Sequence, residues 1–185
     1  MTRHLIECGH EVVRLVRKEP SSGEVFWDPN TGKIDTAGIE GFDAVVHLAS
    51  MPWPMRWTTK AKQRIHANRL ATNRLLAESL AACECKPRVL ICASDIGYYA
   101  SSGDTVLTED SPAGTSFLAR LQQEGEAATT PASEAGIRRI QPAKLLAAGY
   151  RFRFPELGDA LLHEMENVNT GIASLKIQQK ETPHD

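Results

Sequence analysis

The sequence is poor in the features that announce specialised classes of protein. Only four cysteines occur in 185 residues, and none stands in a Cys-x-x-Cys pair. Zinc ribbons and dithiol redox sites need that spacing. No metal site is therefore expected, and Cys8, Cys83, Cys85 and Cys92 read as reduced thiols of a cytoplasmic protein. Cys8 and Cys92 sit among apolar neighbours and read as small buried hydrophobes. An excess of one charge is also lacking: 21 Lys+Arg against 23 Asp+Glu leave a net charge of −2. Dedicated nucleic-acid binders and polybasic membrane binders carry a basic excess, so neither kind of partner is expected. No apolar run approaches the ~20 residues of a membrane-spanning helix. The opening Met1-Thr2-Arg3-His4-Leu5-Ile6-Glu7 is too polar for the apolar core of a signal peptide.

What is present is a pattern of alternating strands and helices. Residues 2–8 read as the last turns of a helix stopped by Gly9, and 11–17 as a β-branched strand. Glu24-Val25-Phe26-Trp27-Asp28 is a short extended piece, and Pro29-Asn30-Thr31-Gly32 turns the chain as in a hairpin. Residues 42–49 form a near-continuous apolar run. Such runs mark strands buried on both faces, the signature of a parallel sheet. Met51-Pro52-Trp53-Pro54 is a loop, since two prolines forbid regular pairing. Thr58 or Thr59 caps a long helix reaching about Ala82, with Ile65, Leu70, Leu75, Leu76 and Leu80 as its buried stripe. Residues 87–94 make the next buried strand and complete a strand–helix–strand unit. A polar loop over 101–115 leads to a helix from Ser116 to about Glu134, which Thr129-Thr130-Pro131 kinks or breaks. Residues 136–140 open another strand. A helical turn at 143–148, an extended segment at 150–154, a last helix to about Val168 and a polar tail follow.

These residues together resemble a known family. Cys8-Gly9-His10-Glu11-Val12-Val13 is similar to the end of the first helix and the second strand of a Rossmann domain. Asp43-Ala44-Val45-Val46-His47-Leu48-Ala49 resembles the fourth strand of extended short-chain dehydrogenase/reductases, and 68–76 their Asn-x-x-Gly-Thr-x-x-Leu-Leu helix. Ala93-Ser94-Asp95-Ile96-Gly97-Tyr98-Tyr99 and Leu107-Thr108-Glu109-Asp110-Ser111-Pro112 resemble one branch, the epimerase family proteins of the NAD-dependent epimerase/dehydratase group. Residues 145–157 resemble the end of that branch's short C-terminal domain of unknown function. The resemblance implies an α/β fold, an incomplete Rossmann-like doubly wound parallel sheet with a small C-terminal helical remnant. It divides the chain into a truncated NAD(P)-binding domain (1–140), a remnant of the C-terminal domain (141–168) and a flexible tail (169–185).

Two departures from the family shape the functional expectation. Family members carry a first strand and a Gly-x-x-Gly-x-x-Gly turn whose helix tip holds the cofactor diphosphate, and the sequence shows no such turn. It also passes from Ile140 directly to Gln141-Pro142, where the family has a long further segment. The cofactor implied is NADP(H) if any, with none expected to bind tightly. With the first strand missing, the edges of its neighbours would be open, and self-association through them is possible.

Candidate cofactor-binding residues follow from position. Arg17, beside Lys18, ends the second strand, where an arginine suits a 2′-phosphate and an acid suits NAD. A solvated strand-end charge is the commoner reading of such a residue. His47, Leu48, Ala49 and Ser50 lie at the carboxyl end of the fourth strand, at the crevice where such folds bind ligands. His47 reads more readily as a buried polar residue bonded to backbone. The catalytic candidates are Ser94, a hydrogen-bond donor to a substrate oxygen; Tyr98, with Tyr99 beside it, as a proton donor in place of the superfamily's helical tyrosine; and Asn68, a supporting helix asparagine. A packing role for the tyrosines and a backbone bond for Asn68 stand beside those readings. The helix from Phe117 holds neither the Tyr nor the Lys of the Tyr-x-x-x-Lys pair, so hydride-transfer chemistry of that type is not supported. Lys60, Lys62, Arg64, His66, Arg69 and Arg74 read as a solvated helix face. An NAD(P)-binding protein of unknown substrate, impaired by loss of the glycine turn, is one expectation. A catalytically inactive remnant or interaction protein that binds no dinucleotide is the other.

Overall fold

The computed structural model describes residues 1–51, 56–100, 103, 107–108 and 110–139. Residues 1–140 and 141–185 form separate units. The expectations for 141–185 lie outside the described residues.

Helix α1 (Thr2–Glu7) ends in a left-handed Gly9, φ +84°, with the Gly9 and His10 amides returned to the Ile6 and Leu5 carbonyls. A glycine reaches that conformation without a Cβ penalty, which is why the helix stops there. α1 buries no residue, and Ile6 is exposed. Cys8 is exposed too, against the expectation of a buried thiol, because no described element packs over α1.

Strand β1 (Arg14–Val16) is shorter than the apolar run that suggested it and pairs in parallel with β2 (Glu24–Asp28), Leu15 opposite Val25. β2 then turns into antiparallel β3 (Lys33–Ile34). The Asp28 carboxylate accepts from the Asn30 amide at 3.0 Å and the Thr31 hydroxyl at 2.8 Å, and Gly32 takes φ +67°. Those bonds favour the charged form and hold the Asp28 carboxyl below its ordinary pKa.

The strand–helix–strand unit is formed by β4 (Ala44–His47), α2 (Thr59–Ala82) and β5 (Val89–Cys92), with β4 and β5 parallel and His47 opposite Cys92. Thr58 caps α2, its hydroxyl accepting from the Ala61 amide at 3.2 Å. Such a cap is worth about 1 kcal/mol. Helix α3 (Phe117–Ala127) is capped in the same way by Ser116. It breaks before α4 (Thr130–Glu134), whose first turn holds Pro131. Proline has no amide hydrogen to continue the earlier helix. Strand β6 (Arg138–Arg139) adds to β5 in parallel. The Glu40 carboxylate, after a 3-10 turn at Ala37–Ile39, accepts from the amides of Glu84 at 3.0 Å and Cys85 at 2.9 Å. It thereby ties that turn to the bend between α2 and β5.

The strands form two three-stranded sheets, β1-β2-β3 and β4-β5-β6. One core serves both. Val25 of β2, Leu90 of β5, Leu76, Ala77 and Leu80 of α2, Ala132 of α4 and Ile137 are buried together, with Leu15 and Val45 against them. α2 is thus the shared support of the two half-sheets. The β4 run is not buried on both faces as expected: Val45 and His47 face the core, whereas Val46 and Leu48 are 37% and 53% exposed. α2 covers one face of this strand, and no described element covers the other. Among the described residues no helix is long and apolar enough to cross a membrane.

Candidate functional site

At the carboxyl ends of β4 and β5 the chain leaves the sheet through Leu48-Ala49-Ser50 and Ala93-Ser94-Asp95. A cavity of about 170 Å³ opens there. Its polar wall is Ser50, Asn68, Arg69, Ser94, Asp95 and Gln122, and Ile65 and Leu121 supply apolar floor. Ala49, Ser50, Asn68 and Ser94, expected at the site from sequence, are brought together here.

Arg69 organises this cavity. Its Nη2 donates to the Ala93 carbonyl at the end of β5 and to Gln122 Oε1 of α3 at 3.2 Å. One guanidinium on α2 therefore fixes the end of a strand and the face of a neighbouring helix. Its Nε is buried and unsatisfied among the described residues. Gly125 makes the approach of α3 possible, because a Cβ there would stand 3.2 Å from both Arg69 Cγ and Nε. The reading of Arg69 as part of a solvated face is corrected: it is half-buried and bonded inward. His66 stays on the solvated face as expected, its Nε2 lying 2.6 Å from the exposed Glu124 of α3.

Ser94 is exposed, and its hydroxyl donates to Glu126 Oε1 at 2.6 Å. Its proton is therefore directed at a carboxylate, not outward toward a substrate oxygen as the sequence suggested. Asn68 lines the cavity through its side of α2, and its carbonyl accepts from Thr72 Oγ1 at 2.8 Å. Tyr98 does not line the cavity. It closes a 3-10 turn (Ile96–Tyr98), packs edge-on against Tyr99 with ring centroids 5.1 Å apart, and its carbonyl accepts from the Gly114 amide.

His47 lies behind the cavity, 4% exposed, its ring edge-on to Trp27 at 5.7 Å. Burial, followed by the nearby Arg69 charge, lowers its pKa to about 4, with Arg17 adding to the fall and Asn73 opposing it. It is neutral at pH 7. The expected bond to backbone is not made at Nε2, which is buried without a partner among the described residues. Asn73 Nδ2 donates to the Gly125 carbonyl at 2.7 Å, anchoring α2 to α3 just behind this imidazole. Arg17 is exposed at the end of β1, with its guanidinium 5.8 Å from the Trp27 ring centroid. Leu48 is exposed and outside the cavity lining. No cluster of metal-ligating side chains occurs among the described residues.

Sequence reasoning gave no site role to Arg69, Asn73, Gln122 or Glu126. A signal existed for two of them. Arg69 and Asn73 fall one turn apart on the stripe that carries Ile65, Leu76 and Leu80, and a polar residue inside an apolar stripe is bonded inward or at a site. Nothing local links Ser94 to Glu126, 32 residues on.

Comparison with known proteins adds lineage to this geometry. Residues 138–164 match the model of a domain of unknown function, DUF1731. The chain is 40% identical over 133 residues to an epimerase family protein of Mycobacterium leprae, covering 71% of this chain and 43% of that one. It is similar to the crystal structure of the nucleoside-diphosphate sugar epimerase from Corynebacterium glutamicum. There the identity is 39% and the TM-score 0.61, over 71% of this chain and 27% of that one. The human epimerase family protein SDR39U1, solved with NADPH, shares 30% identity at a TM-score of 0.61, over 69% of this chain and 43% of that one. The chain thus spans less than half the length of these relatives.

Proposed function

We infer that this chain, which belongs to the epimerase family of extended short-chain dehydrogenase/reductases and carries a DUF1731 segment, binds NADP(H) at the carboxyl ends of β1, β4 and β5. One observation carries the reading. Arg17, Trp27 and His47, from the ends of three strands, meet through ring and charge contacts. These contacts support a position of the exposed guanidinium at the same end of the fold as Ala49, Ser50 and Ser94. Ligands of open α/β folds bind outside the carboxyl ends of the strands.

The residues fit such a cofactor in two ways. An arginine followed by Lys18, with no acid at the end of β1, suits the 2′-phosphate that distinguishes NADP(H) from NAD(H). Ala49 and Ser50, small and exposed, let a ligand approach the β4 backbone. The bound cofactor would supply hydride donation or acceptance. Asn68 and Ser94 would face a substrate from the cavity wall, with Arg69 holding the β5 end in place. The solved human relative supports the cofactor class. The four cysteines, none of them in a disulfide, suit a reducing cytoplasmic compartment.

A second reading, in which the 185-residue polypeptide binds cofactor weakly and does not catalyse on its own, is favoured by Ser94. Its hydroxyl donates a hydrogen bond to Glu126, and Tyr98 lies outside the cavity lining. Fluorescence titration of the full chain separates these points. NADPH is expected to give a saturable enhancement at lower concentration than NADH, and Arg17→Glu is expected to abolish that preference. No response to either cofactor up to millimolar concentration would overturn both readings.

A further inference from the structure

Behind the cavity wall three buried polar atoms converge from β4 and α2: His47 Nε2, Arg69 Nε and Asn73 Oδ1. None has a hydrogen-bond partner among the described residues. Buried polar groups of folded proteins are paired, either with protein or with ordered water.

The three belong to one spot. Arg69 and Asn73 lie one turn apart on α2. A Cβ at Gly125 would stand 3.2 Å from Arg69 Nε and 3.6 Å from Asn73 Nδ2, so both side chains flank the same glycine of α3. His47 comes to this spot from β4. Its carbonyl accepts from the Ala93 amide, and the Ala93 carbonyl accepts from Arg69 Nη2, which ties Arg69 to the strand position beside His47. The imidazole also feels both neighbours. After burial, the Arg69 charge lowers its pKa, and Asn73 raises it. The Trp27 ring stands edge-on to the imidazole and closes another side.

The bonds already made fix what each group offers. Asn73 Nδ2 donates to the Gly125 carbonyl at 2.7 Å, so the amide cannot flip without losing that bond, and Oδ1 is presented as an acceptor. Arg69 Nη2 is engaged at Ala93 and Gln122, and Nε–H remains as a donor. His47 is neutral at pH 7. With a guanidinium beside it, the favoured tautomer turns the lone pair of Nε2, and not an N–H, toward that charge.

The unmet set is thus one donor and two acceptors. An anion has no hydrogen to give to Asn73 Oδ1 or His47 Nε2, and a cation is repelled by the guanidinium. The set calls for a neutral molecule that accepts one hydrogen bond and donates two. Even a methyl group on Gly125 would crowd Arg69, so the molecule must be small.

We propose that one water molecule is bound here as a fixed part of the fold, accepting from Arg69 Nε and donating to Asn73 Oδ1 and His47 Nε2. Three such bonds are the usual complement of a buried water. The water joins β4 to α2. It also holds Arg69 at Nε while Nη2 grips Ala93 and Gln122, so the guanidinium that walls the cavity is pinned at three points.

The test uses the full chain at pH 7, without cofactor. A crystal structure at a resolution where ordered waters are visible is expected to show a density peak within hydrogen-bond distance of all three atoms. In solution, rotating-frame spectra are expected to show cross peaks from water to His47 Hε1 and to the Arg69 Nε proton, and long-range nitrogen spectra a His47 ring protonated at Nδ1. A direct bond between His47 and Asn73 with no peak would overturn the proposal. So would a side chain of this chain seated among the three atoms, or water cross peaks missing at both protons. A ring protonated at Nε2 would overturn the bonding pattern.

Discussion

Leu80→Ala lowers the free energy of unfolding by about 3 kcal/mol, the middle of the range for truncating a fully buried leucine. Leu80 exposes none of its surface and lies in the cluster with Val25 and Ile39 from one half of the fold and Leu90, Ala132 and Ile137 from the other. Part of the loss is the transfer energy of the removed carbons. The rest is the cavity left where strands from two sheets and two helices converge, which cannot collapse without moving all of them. Because the core is shared, the variant should unfold in one transition at lower urea with an unchanged slope. Two separate transitions would show that the half-sheets are independent. Leu48→Ala, at an exposed position, should change stability by no more than about 0.5 kcal/mol.

Acid should weaken the fold before its carboxylates titrate. The imidazole of His47 has a pKa of about 4 in the folded chain and about 6.5 when unfolded. The unfolded chain therefore takes up the proton first as pH falls. Stability is fully present above the unfolded value and declines as pH drops from there toward the folded one. The difference amounts to about 3 kcal/mol across that window. Glu24, Asp28 and Glu40 are also held below their ordinary values, Glu24 and Glu40 chiefly by backbone amides and Asp28 by the Thr31 hydroxyl. Their contributions are present above the ordinary carboxylate range and are lost below it, as pH falls toward the lowered values. Urea midpoints measured between pH 7 and 5 should thus fall for the native chain and stay level for His47→Gln. Parallel slopes in the two proteins would mean that His47 is not the group responsible.

Much of the frame was legible because it rests on local chemistry. The hairpin follows from Pro29-Asn30-Thr31-Gly32, the start of α2 from Thr58, and the break between α3 and α4 from Pro131. What was not legible depends on what lies across the chain. An apolar run such as 42–49 reads the same whether one face is covered or two, so the exposure of Val46 and Leu48 could not be foreseen. Cys8 is apolar in context but sits by a helix against which nothing described packs. Arg69 was grouped with its charged neighbours, although its place on the apolar stripe, and not its charge, decides where it points. Ala49, Ser50, Asn68 and Ser94 were found because strand ends and helix faces are readable. The engagement of Ser94 with Glu126 was not, since that contact is tertiary.

If the proposed function is right, Arg17, the end of β4 and the end of β5 form one binding surface. Backbone resonances followed during addition of NADPH test this most directly. Shifts at Arg17, Ala49, Ser50 and Ser94 are expected to saturate together, and those at Ala49, Ser50 and Ser94 to need a higher NADPH concentration in Arg17→Glu. Shifts confined to another surface, such as the open groove along Lys33, Asp35 and Thr36, would contradict it.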